Sequence, residues 1–168
     1  AKHYAETMRG SGALVKKFSP EVSDYPANEG YLWLDPISAQ HIVDIIRDIF
    51  INHDPENKSA YEENAALYNE KLETLNRDIF QGLAECKTRT ARVLENNFGY
   101  FEKRYGISFL AEEDEKENKS LALYSLVSLT PKQKTRDQDY VSIMRKNLSL
   151  LQKELGCVEL SPPNASTK

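Results

Sequence analysis

Three histidines, two cysteines and a scatter of carboxylates are the residues of this 168-residue chain best suited to holding a metal ion or supporting catalysis. A divalent transition ion is held tightly only when several deprotonated imidazole, thiolate or carboxylate groups converge on it. His41 and His53 fall near the two ends of one helical stretch, about 18 Å apart at 1.5 Å per residue, too far to share an ion. They read as ordinary surface or boundary histidines, and so does His3. Cys86 and Cys157 stand far apart with no Cys-x-x-Cys partner, which leaves two readings, a single disulfide or a pair of buried thiols. The acidic stretch 112–117 reads most simply as a solvated loop, with a cation-attracting loop as the other reading. The chain has no Gly-rich phosphate loop, no nucleophile elbow and no His-Glu-x-x-His, so a non-enzyme is expected.

Bulk properties narrow the partners. The formal net charge is -4 and the basic residues are scattered, whereas phosphate backbones are bound by clustered Lys and Arg that release counterions. No nucleic-acid partner is expected. Hydrophobic residues make up 40% and charged residues 29%, enough apolar material for a core in one compact domain. No run of about 18 apolar residues could span a bilayer, and residues 1–20 lack the apolar stretch of a signal peptide. Export would then need a segment outside this sequence. The Asn-x-Ser/Thr motifs at Asn57, Asn118, Asn147 and Asn164 read as chance unless the source is eukaryotic and secretory.

The elements that must position any site follow from apolar spacing. Residues 1–30 show no sustained period beyond an apolar patch at Leu14, Val15 and Phe18, read as one short strand in loop. Asp35-Pro36 is a helix start, because Asp caps orphan amides and Pro is tolerated in the first turn. Ile42, Ile45, Ile46 and Ile49 then mark one face of a helix over about 36–52. Asp54-Pro55 repeats the signal. Tyr61, Ala65, Tyr68, Leu72, Leu75, Ile79 and Leu83 form the narrow seam of a long helix over about 55–85, read as a spine on its own domain rather than a coiled coil. Beyond Lys87, short apolar runs at 91–94, 107–110, 121–129, 140–144 and 157–160 read as strands. Helices at 98–105 and 147–155, closed by Gly106 and Gly156, separate them. The fold class is α/β, a long helical spine packed on a small, mostly parallel sheet.

Three segments together carry a family resemblance. Tyr31-Leu32-Trp33-Leu34-Asp35-Pro36 resembles the His-x-Trp-Leu-Asp-Pro stretch of the zinc and manganese solute-binding proteins of bacterial ABC importers, where it leads into the helix joining two lobes. Asp54-Pro55-Glu56-Asn57, followed by Tyr61, Asn64 and Leu72, is similar to that family's second helix start. Phe98-Gly99-Tyr100-Phe101 with Arg104-Tyr105-Gly106 resembles the segment that follows one of its metal ligands. The resemblance implies three regions: an N-terminal extension or remnant of the first lobe at 1–30, connecting helices at 31–85, and an α/β lobe with a flexible tail at 86–168.

The resemblance also implies a site. Tyr31 stands where the family has a ligand His, and a phenol with a reference pKa of about 10 is a poor divalent ligand at neutral pH. Glu95 stands where manganese-type members use Glu and zinc-type members use His. Ser161 falls at the position of the last ligand Asp, and the remaining ligand belongs to the first lobe. Glu95 and Tyr31 are therefore the candidate metal residues, with manganese or zinc as transported ligand and no catalytic cofactor. The implied function is capture and delivery of that ion to an ABC importer permease, by this chain whole or as a fragment, on the periplasmic or outer face of a bacterium. Membrane contact would come only through the permease or a lipid anchor. The alternative reading is a non-metal-binding relative acting as an adhesin or interaction module.

Overall fold

The structure, a computed structural model, describes residues 31–111, 120–126 and 139–158. A 3-10 turn at Leu32–Leu34 leads into helix α1 (Pro36–His53), and a second such turn at Pro55–Asn57 leads into helix α2 (Lys58–Gly82). Strand β1 (Thr90–Val93), helix α3 (Gly99–Tyr105) and strand β2 (Ser108–Ala111) form one βαβ unit, and helix α4 (Tyr140–Leu155) follows. The two strands pair in parallel with Ala91 opposite Phe109, as a crossover helix requires. Leu121 extends the ladder on the other edge of β1 through an isolated parallel bridge to Val93. The expected architecture of a long spine against a small parallel sheet is borne out, with helix predominating among the described residues.

Both Asp-Pro pairs open a helical turn, but only the first caps backbone amides as the sequence implies. The side chain of Asp35 accepts from the amides of Ile37 and Ser38, and Pro36 occupies the first helical position. At the second start the carboxylate of Asp54 instead accepts from Asn57 Nδ2 at 2.8 Å and the Tyr61 hydroxyl at 2.7 Å. Those two bonds hold its carboxyl below the usual carboxylate range, the Asn57 bond contributing most. The spine is a 25-residue helix, about 37 Å long, starting at Lys58 because the first three residues wind as the tighter turn. Its seam is buried from Leu72 onward, with Leu72, Leu75 and Ile79 inaccessible to solvent. Gly82 ends it where α4 crosses: a Cβ there would lie 2.8 Å from Gln152 Nε2, and that amide donates to the Gly82 carbonyl instead.

Helix α1 departs from its expected face. Ile42 and Ile45 are half-buried, but Ile46 and Ile49 are exposed. The contacts with α2 include the Phe50 ring on Tyr61 at 5.3 Å and polar pairs, Gln40 Nε2 on the Asn69 carbonyl and Asn69 Nδ2 on the Asp44 carboxylate, and Ile46 and Ile49 stay uncovered by the described residues.

One expected strand is a helix. Residues 140–144 form the first turn and more of α4, which runs from Tyr140 rather than from Asn147. The β-branched run Tyr-Val-Ser-Ile-Met reads as a strand in isolation, but Asp139 caps it by accepting from the Ser142 amide at 2.8 Å. Val141, Met144, Leu148, Leu151 and Leu155 then bury one helical face at three- and four-residue steps. Of the run at 121–129, residues 121–126 show a single bridge and no strand, and 127–129 lie outside the described residues. The patch at Leu14, Val15 and Phe18 lies outside them too, as do His3 and residues 159–160 of the last expected strand.

The core is one cluster. Phe98, Phe101 and Tyr105 on and before α3 meet Phe109 of β2, with Phe98 edge-on to Phe101 at 6.2 Å and Phe101 against Tyr105 at 4.4 Å. Fully burying each such ring is worth about 1.5–3 kcal/mol. Gly106 and Gly156 close α3 and α4 in the left-handed conformation, each at φ 63°. The guanidinium of Arg89 donates to the carbonyls of Leu83, Tyr105 and Gly106, and so satisfies orphan acceptors at the ends of α2 and α3 with one side chain.

Of the two readings for the cysteines, the structure takes the disulfide: Cys86 is bonded to Cys157. Backbone bonds beside it run the same way, Thr88 to the Leu155 carbonyl and Val158 to that of Glu85. The bridge spans a sequence separation of 71 residues. Closing a loop of that size constrains the unfolded chain by about 4 kcal/mol. Reduction by a thiol, or Cys157→Ser, is therefore expected to lower unfolding free energy by about 2–4 kcal/mol in urea titration without changing the far-UV circular dichroism of the native state.

Candidate functional site

The loop between β1 and α3 carries Glu95. It is shaped by asparagines: Asn96 Oδ1 accepts from the Phe98 amide at 3.4 Å, while Asn96 Nδ2 donates to the Phe109 carbonyl at 3.2 Å and ties the loop to β2. This is the side-chain mimicry of a turn that Asn offers at a strand-to-helix corner. Glu95 points to solvent and accepts from Asn97 Nδ2 at 3.1 Å.

Tyr31 enters the same corner from far away in sequence. Its amide donates to the Asn97 carbonyl at 2.9 Å, two residues from Glu95. The two candidate residues thus sit on adjoining segments. The half-buried Tyr31 ring stacks on Trp33, the only tryptophan, with centroids 4.6 Å apart and planes 12° from parallel. Trp33 is fixed in turn, its indole N–H donating to the Ser125 carbonyl at 3.0 Å and its carbonyl accepting from the Tyr140 hydroxyl at 2.7 Å. Burial pushes the Tyr140 phenol well above its ordinary value, with the charge of Asp35 adding to the effect, so it stays a proton donor to Trp33.

Beneath this surface lies Asp35, 1% exposed. Its carboxylate accepts from the amides of Ile37 and Ser38, from the Ser38 hydroxyl at 2.6 Å, and from both Nε and a terminal nitrogen of Arg104, the latter at 2.8 Å. A buried carboxylate persists as an ion only with such donors, and the forked guanidinium matches both oxygens. The third wall is residues 120–126. Asn147, 1% exposed, gives Tyr124 both halves of a backbone pairing, Oδ1 to its amide and Nδ2 to its carbonyl, each at 2.9 Å.

The Tyr31–Trp33 stack and the Glu95 loop are joined through the Tyr31 amide on the Asn97 carbonyl, and no bond links Glu95 itself to Tyr31 among the described residues. Ser161, the aligned position of a further ligand, lies outside the described residues. His41 is exposed on α1 and His53 is its last residue, apart from this corner in sequence and element. Among the described residues no group of three or more His, Cys, Asp or Glu converges to hold a metal. Arg104 stood out in the sequence only as part of the family-like segment, with no role, and nothing pointed to Asn97, Ser125 or Tyr140 as parts of the site. Asp35 was legible as a cap, but its ion pair with a residue 69 positions away carries no local signal.

Comparison with known proteins bears on what this corner is. The family model of ZnuA, the periplasmic zinc-uptake complex component A, matches residues 2–122. The zinc-binding protein AdcA of Streptococcus pyogenes is 26% identical over 187 residues, covering 84% of this chain and 36% of the relative. The high-affinity zinc uptake system protein ZnuA of Brucella abortus is 34% identical over 77 residues, 46% of this chain and 23% of the relative. Among solved structures, the Zn(II)-bound ZnuA-like domain of Streptococcus pneumoniae AdcA superposes with a TM-score of 0.66 at 26% identity, over 74% of this chain and 62% of that one. The chain spans about a third of the length of the AdcA relatives it matches.

The wall at 120–126 depends on one amide. Asn147→Leu would leave the Tyr124 amide and carbonyl without their buried partner, and a loss of about 2–4 kcal/mol is expected in urea titration, with faster hydrogen exchange at the Tyr124 amide.

Proposed function

We propose that this chain, which belongs to the ZnuA family, captures zinc or manganese for delivery to an ABC importer permease, acting as the lobe and connecting helices of a solute-binding receptor. The family is one of transport receptors, not of enzymes. The observation that carries the reading is the bond from the Tyr31 amide to the Asn97 carbonyl, which joins the Trp-Leu-Asp-Pro segment to the Glu95 loop at one edge of the lobe. In this reading residues 31–85 are connecting helices, 86–168 an α/β lobe, and 1–30 an N-terminal extension or a remnant of a first lobe. Relatives named zinc-binding lipoprotein and periplasmic zinc-uptake component support a place outside the cytoplasm, and so does the disulfide, which persists in oxidising compartments.

Glu95 is the ligand with the right chemistry. Its carboxylate is exposed and its partner Asn97 Nδ2 is a neutral donor that an incoming cation can displace. Tyr31 offers oxygen only as a phenol, so it serves as a weak ligand or as the wall beside one. An oxygen-based donor set suits manganese more than the nitrogen-rich sets that favour zinc. Affinity for either ion then depends on donors from outside the described residues.

Titration calorimetry of the full chain with MnCl2 and with ZnCl2 tests this. Saturable binding is expected, weakened at least about tenfold by Glu95→Gln, while Tyr31→His strengthens zinc binding by restoring an imidazole. Equal affinities for the wild-type chain and Glu95→Gln would remove Glu95 from the site.

A further inference from the structure

We infer that Arg104 is a positioning residue: through Asp35 it sets how the Tyr31 segment and the Glu95 loop face each other. The functional meaning of this inference rests on the cation reading of Tyr31 and Glu95, whereas its geometric half does not.

The connections form a closed ring. From Tyr31 the chain makes one 3-10 turn, with the Leu34 amide on the Tyr31 carbonyl at 3.0 Å, and reaches Asp35. Asp35 takes both oxygens of its buried carboxylate to the fork of Arg104. Arg104 belongs to α3, a helix of seven residues that begins two positions after Asn97, and Asn97 closes the ring by accepting the Tyr31 amide. Two non-covalent closures, one charged and one backbone, therefore fix a single relation between the two segments.

The charged closure is the more exacting of the two. Apolar contact through Phe101 and Tyr105 is not directional, and two polar ties of α3, the Tyr105 hydroxyl on Asn76 Oδ1 at 2.9 Å and Glu102 accepting the Phe109 amide, bind it to α2 and β2 rather than to the Tyr31 segment. A planar guanidinium bonded to both oxygens of a carboxylate fixes direction as well as distance, and a lysine at the same place supplies charge without the fork. Asp35 is buried but the Arg104 side chain is 36% exposed, so water screens part of their attraction and what the pair chiefly supplies is orientation.

Trp33 reports the result directly. It is the sole tryptophan, stacked on Tyr31 one turn from Asp35, so its emission follows the geometry of the ring without any label. Metal-free emission spectra and manganese titrations of the wild-type chain, Arg104→Lys, Arg104→Met and Ile79→Val would separate positioning from stability. Ile79 is a fully buried core residue of α2, and its truncation lowers the melting temperature without touching the ring. The expected result is native circular dichroism in all four, a red shift of Trp33 emission that grows from Arg104→Lys to Arg104→Met, and a roughly tenfold loss of manganese affinity in the arginine variants alone. Emission unchanged in both arginine variants, or the same shift in Ile79→Val, overturns the positioning role. Because the emission comparison is made without metal, it decides that role even if the wild-type chain binds no manganese, an outcome that removes the cation reading alone.

Discussion

A carboxylate buried to 1% exposure at the head of α1 constrains everything around it. Buried oxygens need hydrogen-bond donors, and the fold supplies Asp35 with five bonds from Ile37, Ser38 and Arg104. Two of those donors start a helix, and one residue, 69 positions later, brings in the short helix that follows the Glu95 loop. The head of α1 and helix α3 are thereby tied together beside the segments that carry Tyr31 and Glu95. Tyr140 and Tyr105 feel the same charge, each phenol being pushed up chiefly by burial and then by Asp35.

The sheet is small, with two strands and two isolated bridges among the described residues, so backbone groups that a wider sheet would pair must be satisfied otherwise. Side chains take over. Arg89 caps the ends of α2 and α3, Asn147 stands in for a neighbouring strand against Tyr124, and Asn96 fastens the loop to β2. The disulfide does the corresponding work at the far end, holding the exit of α4 to the exit of α2. These polar devices leave the core itself free for a compact aromatic cluster.

What the sequence made legible was local. Asp-Pro pairs, glycines past helix ends and three-four spacing act within a few residues, and they placed α1, α2, α3 and both strands to within about three residues at each end. The start of α4 was misread because Val141 and Ile143 favour strands in isolation, while the cap at Asp139 and burial on Leu148, Leu151 and Leu155 decide for helix. The exposed isoleucines of α1 show the converse, a correct helix whose apolar face is not covered as its spacing implied. Long-range pairs were illegible: nothing near Arg104 announces Asp35, nothing near Asn147 announces Tyr124, and Cys86 with Cys157 permitted two readings. The family resemblance brought Tyr31 and Glu95 into one hypothesis, yet only the folded chain puts their segments in contact.

The account stands on one coupling, that of Asp35 with Arg104. A double-mutant cycle in urea, with Asp35→Asn, Arg104→Met and both together, measures it without reference to any ligand. A coupling of about 1–2 kcal/mol is expected, since loss of Arg104 takes two donors from the buried Asp35 carboxylate while the partly exposed guanidinium itself stays hydrated. Additive effects, within about 0.5 kcal/mol, would mean that the two segments are held by other contacts and would contradict the account.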